Sequence, residues 1–184
     1  MKPYLKLDCE YTEAIASGIY DFVKNKTEIL EQDLRYWQFL DTQTLLSHVP
    51  ELNKYFTKTR LLVRDAAITV LYEDLKLHVD PLPVLAKINF PVLNTQGWVN
   101  RWYNIPSGSL QDCEIVETSF GHYTEKVITM SPELLTLAGE VFDMSEPMAF
   151  HSRLPHEVIK LTPETLPRII ASFTFHNEPI HLLK

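Results

Sequence analysis

The chain has 184 residues, 45% hydrophobic and 22% charged, with a net charge of −7 and a pI near 5.5, the profile of one globular domain with its own core. The acidic balance and the lack of a basic stretch exclude a broad nucleic-acid or anionic-membrane surface, and no run approaches the roughly 18 apolar residues of a membrane span. Cys9 and Cys113 are too few for a disulfide framework or a four-cysteine zinc site, and residues 1–10 lack the apolar run of a signal peptide, so the chain reads as cytoplasmic with free thiols.

A short strand is expected around Tyr4-Leu5-Lys6-Leu7. From Thr12 the pattern turns helical: Ile15, Ile19, Phe22 and Val23 stand at i, i+4, i+7 and i+8. A second helical piece is expected over residues 42–55, interrupted near Pro50. Both read as helices covering one face of a sheet. Leu61-Leu62-Val63 and residues 67–72 are β-rich and read as two strands. Residues 85–93 alternate, with Ala86, Ile88 and Phe90 on one face and Lys87 and Asn89 on the other. A turn at 94–97 leads to a strand over 98–105, whose Trp98, Trp102 and Tyr103 read as core.

Residues 106–109 read as a loop, with short strands near 113–118 and 123–130 and a helix start at Ser131-Pro132. Strands resume at 148–151, 156–161 and 168–175. Arg168, Ile170, Ser172 and Thr174 share one face of the last, and Ile169, Ala171, Phe173 and Phe175 the other. Roughly eight short strands preceded by helices indicate an α+β, mainly β protein of the sandwich or barrel kind, not a parallel βαβ fold. The expected organisation is a single domain over 1–184: a helical cover at 1–60, a β core at 61–175 and a tail at 176–184.

His78-Val79-Asp80 carries the chemistry. Two residues apart on a strand, His78 and Asp80 point to the same face. An imidazole and a carboxylate side by side are two-thirds of the facial triad that holds non-haem Fe(II) with open positions. Pro81 stops the ladder just there. The candidate third ligand is His156, which follows Pro155 at the start of a β-branched strand. His151, five residues earlier, is the rival and would face the other way on a regular strand unless Pro155 bends the chain. His122 is a weaker rival, and His48, His176 and His181 read as surface residues. Glu157 is expected to face away from His156 into solvent. Twelve residues after His156, Arg168 opens a well-patterned strand, and an inward guanidinium there needs an anionic partner.

The order His-x-Asp, distal His, then Arg resembles the Fe(II)/2-oxoglutarate-dependent dioxygenase family, whose fold is the double-stranded β-helix, or cupin-like jelly roll. The run Leu85-Ala86-Lys87-Ile88-Asn89-Phe90-Pro91-Val92-Leu93-Asn94, followed by Trp102-Tyr103, resembles small bacterial and phage oxygenase-like proteins, and Pro155-His156-Glu157-Val158 resembles the family's distal-histidine strand. The resemblance covers residues 61–175. It implies that His78, Asp80 and His156 ligate Fe(II) and that Arg168 binds the distal carboxylate of 2-oxoglutarate. Family members often carry a Ser two residues after the Arg, where this chain has Ile170, with Ser172 two positions further on. Lys87, facing the same way as Asn89, competes with Arg168 for the co-substrate or shares it. The implied activity is hydroxylation of a small molecule or peptide. A cupin-like metal-binding or structural protein without turnover and a wider cupin enzyme that needs neither Arg168 nor Lys87 stay open, as does a homo-oligomer.

Overall fold

The computed structural model describes residues 2–25, 35–80, 83–104, 115–116, 125–127, 135–162 and 166–184, with main chain only at 35–36, 115–116 and 125–127. Within these, the strands are β1 (Tyr4–Lys6), β2 (Arg35–Leu40), β3 (Val63–Leu71), β4 (Leu75–Val79), β5 (Ala86–Leu93) and β6 (Trp98–Asn104). They continue with β7 (Ile115–Val116), β8 (Glu125–Val127), β9 (Thr136–Phe142), β10 (Met148–His151), β11 (His156–Lys160) and β12 (Arg168–Phe175). They form two antiparallel sheets in the orders β1-β10-β5-β12-β3-β2 and β7-β8-β4-β11-β6-β9. Two such sheets with helices on one outer face are the double-stranded β-helix that the sequence resemblance implied.

Helix α1 (Thr12–Val23) buries Ile15, Ile19 and Val23, three of the four residues of its apolar stripe, with Phe22 at the margin. The second helical piece is two helices. Asp41 caps Thr42–His48 by accepting from the Thr44 amide at 2.7 Å. Pro50 then opens Pro50–Thr59 at its first turn, where a missing N–H costs nothing. Arg60, at φ 56°, ends that helix in the left-handed region. No helix among the described residues is long and apolar enough to cross a membrane.

The strand alternation decides what each face buries. Ala86, Ile88 and Phe90 of β5 and Ala171, Phe173 and Phe175 of β12 point outward and pack under the helices with Leu45, Leu52 and Phe56. The partner positions, Lys87 and Asn89 on β5 and Arg168, Ile170 and Ser172 on β12, therefore face the second sheet. Between the sheets Ile170, Met148 and Phe150 meet Trp102 and Val141, while Leu71 packs against Trp98 and Val158 at the other end.

Three strand expectations need correction. Leu61-Leu62-Val63 and residues 67–72 are not two strands: β3 is continuous through Arg64 and Asp65, because β12 pairs along its whole length. Strand β2 was not expected; it adds to the outer edge of β3 in a run whose polar residues break the alternation. Strand β9 was not expected either. Gly139 and the exposed Leu137 and Phe142 blur its pattern, yet it pairs with β6 over six positions. The expected loop at 106–109 and the Ser131-Pro132 helix start lie outside the described residues, as does Cys113, while Cys9 is a free thiol.

The outer core rests on an aromatic cluster. Phe56 meets Phe90 and Phe175 edge-to-face and Phe173 at a tilt, at ring separations of 5.9, 5.3 and 5.1 Å. Phe56→Ala is expected to lose about 3–5 kcal/mol of stability in urea unfolding. Phe142→Ala, at a half-exposed ring, should stay within about 0.5 kcal/mol of the parent.

Candidate metal centre

The centre starts from a strand register. His156 of β11 lies opposite His78 of β4 and opposite Trp102 of β6. Directly opposed residues on neighbouring strands share a face, so the two imidazoles and the indole line up on the inner face of the second sheet. The imidazole centroids are 4.2 Å apart. Just past this pair the β4–β11 register shifts by one residue, a bulge of the kind that re-aims side chains beside functional sites.

Backbone carbonyls fix both rings. His78 Nδ1 is 2.7 Å from the Lys76 carbonyl and His156 Nδ1 is 2.8 Å from the Leu154 carbonyl. A carbonyl only accepts, so each Nδ1 must carry the proton and each Nε2 presents a lone pair to the interior. Metal-binding histidines are oriented in this way. Burial holds the His156 imidazole below its ordinary range, against the pull of Asp80, and so keeps it neutral and able to donate.

Asp80 follows the end of β4 and is held by the β10–β11 connection. Its amide donates to the Ser152 carbonyl at 3.1 Å, and its carbonyl accepts from Arg153 Nη1. Ser152 is fully buried and donates through its hydroxyl to Val84 O at 2.8 Å. One short turn thus ties the approach to β5 to the segment carrying the carboxylate. Asp80 Oδ1 is 4.0 Å from His78 Nε2, and Oδ2 is 4.0 Å from His156 Nε2. One donor atom from each of His78, Asp80 and His156 lies within 4.8 Å of the others. Burial alone would raise the Asp80 carboxyl, but Lys87 first and then the two histidines outweigh it and hold the group well below the usual carboxylate range.

Arg168 is 3% exposed. Its Nη2 donates to Asn100 Oδ1 at 3.0 Å and its guanidinium lies 5.7 Å from the Trp98 ring centre. Its Nε has no hydrogen-bond partner, and no carboxylate among the described residues lies within ion-pair distance. Burial alone pushes it down to about 9, so it remains a cation at neutral pH. Asn100 precedes Trp102 by two residues on the inner face of β6, and two residues of strand span about 7 Å. The guanidinium therefore sits one inward position along the barrel from the histidine level.

The remaining expected residues do not join one cluster. Lys87 reaches Asp80, with Nζ 2.9 Å from Oδ2, rather than Arg168. Asn89 and Ser172 face each other across β5 and β12, the Ser172 hydroxyl donating to Asn89 Oδ1 at 2.7 Å. Ser172 lies four residues along β12 from Arg168, about 13 Å of strand. His151 ends β10 in the other sheet, where its Nδ1 accepts from the Arg153 amide at 3.2 Å. Burial holds it below its ordinary range. His122 and Pro81 lie outside the described residues. His48, His176 and His181 are exposed. Trp98 and Trp102 are buried, whereas Tyr103 turns to the outer face and donates to Glu157. Glu157 faces away from His156, as expected, but is partly buried by that bond rather than solvated. The sequence reading missed Asn100. The signal was present: on the face shared by Trp98, Asn100 and Trp102 it is the one polar residue.

No family model matches the chain, and no curated protein matches it by sequence. Similar solved structures exist. The epimerase SnoN in complex with Fe3+, alpha-ketoglutarate and nogalamycin RO aligns at TM-score 0.53 and 11% identity over 94% of this chain and 78% of that one. A second structure of SnoN, described as a non-haem alpha-ketoglutarate-dependent epimerase from nogalamycin biosynthesis, aligns at TM-score 0.55 and 10% identity over 94% and 75%. A prolyl-4-hydroxylase from Pseudomonas putida aligns at 0.48 and 10% over 95% and 93%. The SnoN likeness establishes the fold, a cupin-like double-stranded β-helix of the type found in iron and 2-oxoglutarate enzymes.

A buried cation with no anion beside it is a cost to the fold. Arg168→Met is therefore expected to leave the protein at least as stable as the parent, by about 1 kcal/mol or more in urea unfolding. A clear loss of stability would mean that the guanidinium is paired within the chain.

Proposed function

We propose that the protein is an Fe(II)- and 2-oxoglutarate-dependent oxygenase acting on a small molecule or peptide. The observation that carries this reading is the convergence of His78, Asp80 and His156, one donor atom each, on a single buried point. Two neutral imidazoles and one carboxylate are the donor set of the non-haem Fe(II) facial triad. The buried Arg168, with an unpaired Nε and no acid beside it among the described residues, fits a carboxylate-bearing co-substrate. The fold shared with SnoN supports the architecture.

The chain's own residues have defined tasks in this reading. His78 and His156 would ligate the metal, their rings fixed by the Lys76 and Leu154 carbonyls. Asp80 supplies the negative charge and is placed by the Ser152 turn. Arg168 takes the distal carboxylate of 2-oxoglutarate, and Asn100 orients the guanidinium by accepting from Nη2. Trp102, Met148 and Phe150 keep water from the interior. Iron and 2-oxoglutarate, when bound, supply the oxidation itself, so the protein's part is to position them and shelter the reacting groups.

The alternative is a cupin-like metal-binding or structural protein without turnover. The Lys87–Asp80 ion pair favours its structural form, because an ammonium on a ligand carboxylate opposes metal loading. Anaerobic calorimetric titration of 2-oxoglutarate into the Fe(II)-loaded protein separates the two. Binding is expected in the parent, absent in His78→Ala because the metal is lost, and weakened by about 2 kcal/mol or more in Arg168→Ala. No binding in a parent shown to carry iron would sink the oxygenase reading.

A further inference from the structure

Lys87 is an inner-face charge for which the oxygenase reading has no task. Its Nζ lies 2.9 Å from Asp80 Oδ2, closer to the carboxylate than the Nε2 of His78, 4.0 Å from Oδ1, or of His156, 4.0 Å from Oδ2. The Asp80 side chain is 4% exposed and that of Lys87 14%. The pair joins the two sheets, since Lys87 stands on β5 opposite Phe150 and Asp80 follows β4. Adjacent ligand atoms of a six-coordinate metal with bonds near 2.1 Å lie about 3 Å apart. The three donor atoms must therefore draw closer than they stand here for one metal to take all of them.

We infer that Lys87 is the resident counter-ion of Asp80 and competes with a divalent cation for it, so that loading the His78–Asp80–His156 centre expels the ammonium from the carboxylate. This rests on the metal-site reading above. A buried carboxylate needs a partner, and Lys87 supplies it from within the chain. A divalent cation satisfies the same carboxylate more strongly and repels an ammonium a few ångströms away. Lys87 therefore stabilises the unloaded protein and penalises the loaded one. The partial exposure of its side chain gives the ammonium a way into solvent. A lysine that only oriented Asp80 would behave in the opposite way, because losing such a support weakens metal binding.

Mn(II) titration, followed by the loss of the free-ion electron paramagnetic resonance signal, tests this on the whole chain. Lys87→Met is expected to bind Mn(II) about tenfold or more tightly than the parent, while Lys87→Arg shows no gain. Without metal, Lys87→Met should melt below the parent, and the gap should close as Mn(II) saturates both. Equal or weaker Mn(II) binding by Lys87→Met overturns the inference. The parent provides a second readout that needs no variant: acetylation of Lys87, followed by peptide mass, should run faster with Mn(II) bound. Equal acetylation with and without the metal also overturns it. His78→Ala keeps the two readings apart: if it binds Mn(II) as tightly as the parent, the metal site itself is wrong, whatever Lys87 does.

Discussion

The site depends on one register, His156 opposite His78 across the β4–β11 ladder. Side chains alternate faces along a strand, so a slip of one residue would send one imidazole into the interior and the other out of it. On its other side β11 pairs with β6, which sets His156 opposite Trp102 and, two residues on, Val158 opposite Asn100. The imidazole pair, the indole and the amide that holds Arg168 thus follow from the two ladders of β11. Asp80 is fixed separately, by the Ser152 turn that crosses between the sheets.

Around this register the barrel is divided into two environments. The outer face of the first sheet is dry and aromatic and is sealed by the helices. The space between the sheets carries charge: Asp80, Lys87 and Arg168 all lie inside, with the two histidines and Asn100. Three ionisable side chains in a small interior cost the fold stability. The apolar packing under the helices offsets this and contributes nothing to the chemistry. The charges are also treated unequally. Asp80 has Lys87 at 2.9 Å, whereas among the described residues Arg168 has an amide oxygen and an aromatic ring and no acid. An internally matched pair suits an exchange of partners, and an unmatched cation suits a ligand that brings its own anion.

The range of each interaction explains which parts of the molecule were legible in its sequence. The alternation in Leu85–Leu93 and the faces of Arg168–Phe175 were readable because strand periodicity is local, and the burial of Ala86–Phe90 and Ala171–Phe175 obeys it. The pairing of His78 with Asp80 was readable because two residues on a strand share a face. Strand β9 was not readable: its sequence alternates poorly, and only the edge of β6 makes it a strand. Continuity of β3 through Arg64 and Asp65 likewise came from β12, whose Thr174 hydroxyl donates to Asp65 at 2.7 Å.

By itself, the sequence determined the mainly β class, the helical cover and the shared face of His78 and Asp80, because residue type and period-2 spacing are carried by the chain alone; His156 and Arg168 were candidates that a family resemblance singled out. It could not say where Lys87 points its charge, since its partner Asp80 follows a different strand. Only the tertiary structure decided that Lys87 reaches Asp80 and that Arg168 is left to Asn100. It also decided that Asn89 and Ser172 satisfy each other. The reason is that ion pairs and hydrogen bonds between strands depend on distances set by the folded barrel, whether the residues are near in sequence, as Lys87 and Asp80 are, or far apart, as Arg168 and Asn100 are.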